Sequence, residues 1–152
     1  GGIGAAATSA AWTDNVFFSS TAQAATFDLQ GSLNGTSWVQ SDNANSIQLV
    51  VPAATFANLL PGQTRTVTLY VENTGTANSS LVASAAWATG STFTTNPTIS
   101  VTPASTTLAA ATGGTPTTTT VTLTVTAPSD WASVNQGKSG NVIVTVAGTA
   151  TA

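Results

Sequence analysis

The sequence contains no histidine, no cysteine and no methionine among its 152 residues. Without histidine and cysteine, the chain lacks the commonest general base, the thiol nucleophile and the usual zinc ligands. These absences exclude most hydrolase mechanisms, and without cysteine the chain forms no disulfide bond. We therefore expect a protein that is not an enzyme, binds no cofactor and carries no metal, apart from the weak calcium candidate described below.

Charge is also scarce, because charged residues make up only 5% of the chain against about a quarter in an ordinary soluble domain. The only basic residues are Arg65 and Lys138, and the net charge is −3. Such a chain cannot neutralise a run of phosphates, which excludes nucleic acid and anionic membrane surfaces as partners. No apolar stretch reaches the roughly 20 residues of a membrane-spanning helix, so we expect no membrane insertion of the mature chain.

The dominant positive signal is an alternation of apolar and polar residues. In "TRTVTLYVENTG", Val67, Leu69 and Val71 share one face, and threonines with Tyr70 share the other, as in a half-buried strand. The segments "TTTTVTLTVT" and "GNVIVTVAG" repeat the pattern. Further strands are predicted at 24–33, 36–40, 46–51, 80–88 and 98–102. We predict an all-β protein: a two-sheet antiparallel β-sandwich, jelly-roll-like, with core aromatics at Phe27, Trp38, Phe56, Trp87 and Phe93.

Turn residues separate these strands. Asn34-Gly35 favours a tight type I′ hairpin, and Pro61-Gly62 and Gly113-Gly114 also predict turns. Only "PSDWASVNQG" has a helical pattern, with Ser129 as its N-cap and Gly137 as its end.

Few residues suggest a chemical site. Five acids could supply the carboxylate pair of a glycosidase, but they are widely spaced and fit turn caps better: Asp14, Asp28, Asp42, Glu72 and Asp130. The loop "SDNANS" offers calcium-type oxygen ligands at Asp42, Asn43 and Asn45, although an ordinary turn explains it equally. Asn34-Gly-Thr36 and Asn78-Ser-Ser80 are sequons, which makes Asn34 and Asn78 candidates for N-glycosylation.

Three segments together resemble the TasA/camelysin-type family: "AAWTDNVFFSSTAQAATFDL", "LLPGQTRTVTLYVENTGTANSSL" and "VNQGKSGNVIVTV". The resemblance implies a secreted, extracellular jelly-roll-like subunit of biofilm-matrix fibres or archaeal bundling pili. In such fibres the N-terminal strand of each subunit completes the sheet of its neighbour. Some relatives are labelled metallopeptidases, an activity that a chain without histidine ligands does not carry over.

The N-terminus, "GGIGAAATSAAW", is compatible with such a donor strand. Glycine and alanine allow a backbone to enter a crowded groove, and the segment would reach about 35 Å when extended. We predict a donor strand and hinge at 1–14 and one sandwich domain at 15–152. The strand would insert Ile3, Ala5, Ala7, Ser9 and Ala11, and the subunit boundary would lie at Trp12 and Asp14.

The expected partners are copies of the same chain in a head-to-tail polymer, with lateral bundling through the threonine face at Thr118, Thr120, Thr122 and Thr124. Two other functions remain open. A secreted Ig-like adhesion or carbohydrate-binding module would present Trp12 or Trp131 in an exposed row, and a glycosidase would bring two carboxylates together in a cleft.

Overall fold

A computed structural model describes residues 28–40 and 46–151. These residues form nine β-strands and two short 3-10 helices, and every described strand pair is antiparallel. The strands are β1 (Leu29–Ser32), β2 (Val39–Gln40), β3 (Ser46–Val51), β4 (Thr64–Asn73), β5 (Asn78–Trp87), β6 (Thr98–Pro103), β7 (Thr107–Leu108), β8 (Thr117–Thr126) and β9 (Val142–Thr151); the helices are Ala53–Phe56 and Ser133–Asn135.

The strands form two sheets that pack face to face. The five-stranded sheet has the order β2-β1-β4-β8-β6, and the four-stranded sheet has the order β3-β9-β5-β7. From β3 to β9, consecutive strands alternate between the sheets. The prediction of an all-β, two-sheet sandwich is therefore confirmed.

The core lies between the sheets and follows the predicted alternation. Its centre is formed by six fully buried side chains of β8 and β9: Val121, Leu123, Val125, Val142, Val144 and Val146. On the opposite face of β8, the threonines pair with those of β4, as Thr66 does with Thr124 and Thr68 with Thr122. Residues two apart on a strand share a face, which explains why one sequence supplies both a dry core and a hydroxyl surface.

The first hairpin differs from the prediction. β1 and β2 do pair, but residues 33–38 form a longer loop, and only Gly35 has a positive φ, 82°. The Asn34 side-chain oxygen accepts the N–H groups of Thr36 and Ser37, and Ser32 Oγ accepts that of Gly35. These local bonds satisfy the loop amides without a type I′ turn. A turn with two positive φ values occurs instead at Gly113–Gly114.

The predicted helix at "PSDWASVNQG" shortens to the 3-10 helix Ser133–Asn135, whose N-cap position is Ala132 and not Ser129. The reason is tertiary, because buried Asn135 accepts the N–H of Thr94 at 2.9 Å and so ties this segment to a distant loop. Gly137, with a φ of 74°, follows the helix as predicted. Strand β7 and the helix Ala53–Phe56 were not predicted, since each spans only two to four residues.

Candidate functional site

The described part of the sandwich has an incomplete edge at β5. This strand pairs with β9 along its whole length. On its other side, within the described ranges, it pairs only with β7 at Ser79 and Ser80, and Leu81 adds one N–H bond to the Thr106 carbonyl at 2.7 Å. No described residue continues the sheet along Val82–Trp87.

The backbone of β5 points its bonding groups toward this gap. Leu81 donates on the β7 side, and alternate residues of an antiparallel strand face the same neighbour. The N–H and C=O groups of Ala83 and Ala85 therefore face away from β9. Ala88, an even-numbered position, instead donates its N–H to the Asn141 carbonyl at 2.8 Å, on the β9 side. The strand thus presents a row of peptide groups to which a further strand could bond.

The side chains at this edge are only partly buried although they point into the sandwich. They are Ala83 and Ala85 of β5, and Ile99 and Val101 of β6 in the other sheet, which packs against β5. Their partners one strand further in, such as Val144 beside Ala85 and Val125 beside Ile99, are 0% exposed. We call this region, Val82–Trp87 with Thr98–Pro103, the open edge.

Aromatic packing fixes one end of the open edge. Trp87 contacts buried Phe56 and partly buried Phe93 edge to face, with ring centroids 5.8 and 5.2 Å apart, and its indole N–H donates to the Pro97 carbonyl. Phe93 in turn contacts Trp131, whose indole N–H donates to the Thr95 carbonyl at 2.8 Å. The prediction that Phe56, Trp87 and Phe93 fill the core and its ends is confirmed. Trp38 is half-buried in the β1–β2 loop.

Sequence reasoning missed the open edge, although one signal was present. In "SSLVASAAW" the inward positions after Leu81 are Ala83 and Ala85, where β3, β8 and β9 carry valine, leucine or isoleucine. Small inward side chains on a strand that is only partly covered by its outer neighbour leave space for a further layer of side chains.

Most predicted site residues lie outside the described residues. These are the donor-strand and boundary positions Ile3, Ala5, Ala7, Ser9, Ala11, Trp12 and Asp14, the core candidate Phe27, and the calcium candidates Asp42, Asn43 and Asn45. The proposed division at residue 14 also falls there.

The described acids are spread over the fold. Asp28 accepts the Thr74 hydroxyl, and Glu72 lies on the outer face of β4 in register with Gln30, where burial raises the pKa of its carboxyl group. Asp130 is exposed in the turn after β8, at the opposite end of the sandwich. In residues 28–40 and 46–151, no group of three or more acid, histidine or cysteine side chains could hold a metal.

The threonine face lies on the outside of the five-stranded sheet. Thr118 and Thr122 are exposed, and Thr120 and Thr124 are partly buried. One cross-strand hydroxyl pair, Thr64 and Thr126, lies 3.0 Å apart. Hydroxyl groups therefore cover this surface, as the alternation predicted.

No protein-family model, no curated protein and no solved structure matches this chain. The described residues also include no helix with the length and hydropathy to cross a membrane. The described residues define the class of fold, an all-β two-sheet sandwich.

Proposed function

We propose that this chain is the structural subunit of a secreted extracellular filament or pilus, polymerised head to tail by strand donation. The observation that carries the proposal is the open edge, where no described strand pairs with Val82–Trp87 of β5 beside partly buried core side chains. An added strand would bond to β5 and cover Ala83 and Ala85 together with Ile99 and Val101. This is how donor strands complete incomplete sandwiches.

The backbone contribution is substantial. Alternate residues of an antiparallel strand exchange two bonds each, so Ala83, Ala85 and Trp87 offer on the order of six bonds, each worth about 0.5–1.5 kcal/mol net. Burial of the inward side chains of β6 adds to this. Together these terms support a stable joint between subunits.

The N-terminal segment 1–11 has the composition for this position. Its glycines and alanines would let its backbone approach β5, and Ile3 is its one large apolar side chain. A strand donated to the next copy makes a heterologous contact, which propagates as an open chain. The resemblance to the TasA/camelysin-type family supports the same assembly. The threonine face would then be free for lateral bundling.

The test is deletion of residues 1–11. We expect the truncated protein to remain folded but to form no filaments in negative-stain microscopy. A synthetic GGIGAAATSAAW peptide should bind it and raise its melting temperature, because a ligand of the folded state stabilises that state. The same peptide with Ala5→Arg or Ala7→Arg should bind more weakly, since a long charged side chain would enter an apolar groove.

Two results would contradict the proposal. Filaments formed by the truncated protein at the wild-type rate would exclude strand donation. A full-length chain that stays monomeric, with its own segment 1–11 protected from proteolysis, would mean that the strand closes the edge of its own copy. An adhesion or carbohydrate-binding module would then be the better hypothesis.

A further inference from the structure

The two sequons occupy different structural settings. Asn78-Ser-Ser80 opens strand β5 and is paired on both sides: with Thr149–Thr151 of β9 and, from Ser79 on, with β7. Ser79 is 1% exposed and its hydroxyl donates to the Leu108 carbonyl. The Asn78 side-chain oxygen accepts the N–H of Ala110 at 2.9 Å. An enzyme that grips this tripeptide must first detach it from two strands.

Asn34-Gly-Thr36 lies instead in the exposed loop between β1 and β2. Within the part of the chain that the structure describes, the hydrogen bonds of the sequon join residues at most three apart in sequence, within Ser32–Ser37. The Asn34 Oδ1 accepts the Thr36 N–H at 2.9 Å and the Thr36 hydroxyl at 3.0 Å. Among the described residues, none accepts a hydrogen bond from the Asn34 Nδ2, the atom that would be modified.

We propose that Asn34 is an N-glycosylation site of the folded protein and that Asn78 is not. The loop can enter an enzyme active site without breaking strand pairing, because its bonds are local. The co-substrate would be an oligosaccharide esterified to a polyprenyl phosphate or diphosphate. In the reaction Asn34 Nδ2 bonds to the anomeric carbon, the bond from that carbon to the phosphate oxygen breaks, the lipid phosphate leaves with the electron pair, and Nδ2 loses one proton to a base of the transferase.

The location is compatible with strand donation, although the inference does not depend on it. β1 and β2 form one edge of the five-stranded sheet, and β6, with the open edge, forms the other. A glycan on Asn34 would therefore project from the side of the sandwich opposite the open edge. A glycan on Asn78 would lie on β5, the strand that offers the open edge its backbone bonds.

The experiment treats purified full-length protein with lipid-linked oligosaccharide and a single-subunit oligosaccharyltransferase that requires only Asn-X-Ser/Thr. Intact mass and peptide mapping report the occupancy of each sequon. The free energy needed to open a doubly paired strand should exceed ~1.4 kcal/mol, which corresponds to a tenfold change in an equilibrium constant. We therefore expect Asn34 to be modified more than about tenfold faster than Asn78. When urea-unfolded protein is diluted into the reaction and modified for only a short time, the modification rates of Asn34 and Asn78 should converge.

Matched variants assign the site. Asn34→Gln and Thr36→Ala should each abolish modification of the folded protein, and Thr36→Ala does so with the Asn34 amide retained. Asn78→Gln and Ser80→Ala should leave it unchanged. Equal rates at both sequons of the folded chain, or modification of Asn34 only after unfolding, would overturn the inference. Filament formation is measured separately and tests only the proposed function.

Discussion

Strands β3 and β5 flank the same strand, β9, and face the core in the same register. Val146 lies between Ile47 and Ala83, Val144 between Leu49 and Ala85, and Val142 between Val51 and Trp87. On the β3 side, the closed edge, Ile47, Leu49 and Val51 are 0–3% exposed. On the β5 side the corresponding side chains are only partly buried.

The difference comes from the strand across the core. At the closed edge, β1 presents Gly31, and a Cβ added there would lie 3.0 Å from Ile47 Cδ1 and 3.1 Å from Leu49 Cδ1. The absent side chain lets the two sheets meet. At the open edge, small Ala83 and Ala85 lie opposite Ile99 and Val101 without covering them. Two equally alternating strands can therefore bury their inward side chains to different degrees.

The largest expected effect compares two isoleucines. Ile47→Ala at the closed edge should destabilise the protein by about 2–5 kcal/mol, since it leaves a buried cavity. Ile99→Ala at the open edge should cost only about 1 kcal/mol, because the Ile99 side chain is already partly exposed. Urea unfolding of the truncated protein lacking residues 1–11 measures both. Equal losses would mean that the two edges are equally closed.

The next comparison uses proline at neighbouring positions of β5. Ala86→Pro removes an N–H that faces β9 and should cost about 1–3 kcal/mol. Ala85→Pro removes an N–H that faces the open edge, so it should destabilise the truncated protein less but weaken binding of the 1–12 peptide. Thermal unfolding and titration calorimetry separate the two effects. If Ala85→Pro binds the peptide like wild type, the added strand does not bond to β5.

Amide exchange tests the same geometry without changing stability. In the truncated protein, the amides of Ala83 and Ala85 should exchange quickly, and those of Ser84 and Ala86, which face β9, slowly. Addition of the 1–12 peptide should slow the first pair and leave the second nearly unchanged. NMR resolves the four residues. Protection of Ala83 and Ala85 before peptide is added would show that another part of the chain already covers them.

The smallest effect concerns Glu72, on the outer face of the five-stranded sheet. Glu72 pairs in register with Gln30 of β1 and is 8% exposed. Burial raises the pKa of Glu72 above its ordinary value of 4.5. Because the folded-state pKa is raised, the unfolded state ionises first as the pH rises above 4.5. Stability therefore falls between 4.5 and the raised pKa, stays lowered above it and is unaffected below 4.5. Glu72→Gln should therefore stabilise the protein at pH 7 but not at pH 4, by urea unfolding. Equal gains at both values would assign the effect to packing.

Much of the fold could be read from local pattern. The predicted strand at 46–51 matches β3, and those at 80–88 and 98–102 match β5 and β6 within about two residues. The hairpin turn and the short helix were less predictable. Asn34 bonds to its own loop, and Asn135 bonds to Thr94, 41 residues away. Side-chain acceptors of this kind have no periodic signal in the sequence.

The sequence by itself determined that strands would dominate and which side of each would be dry, because alternation depends only on the two-residue repeat of an extended backbone. It also determined the nearly uncharged, hydroxyl-rich surface. Only the tertiary structure decided which strands end the sheets and which sequon is locked in a strand. Those outcomes depend on which residues lie across the core, Gly31 opposite Ile47 at one edge and the alanines of β5 opposite β6 at the other. Such long-range neighbours are set by packing and not by any local stretch of chain.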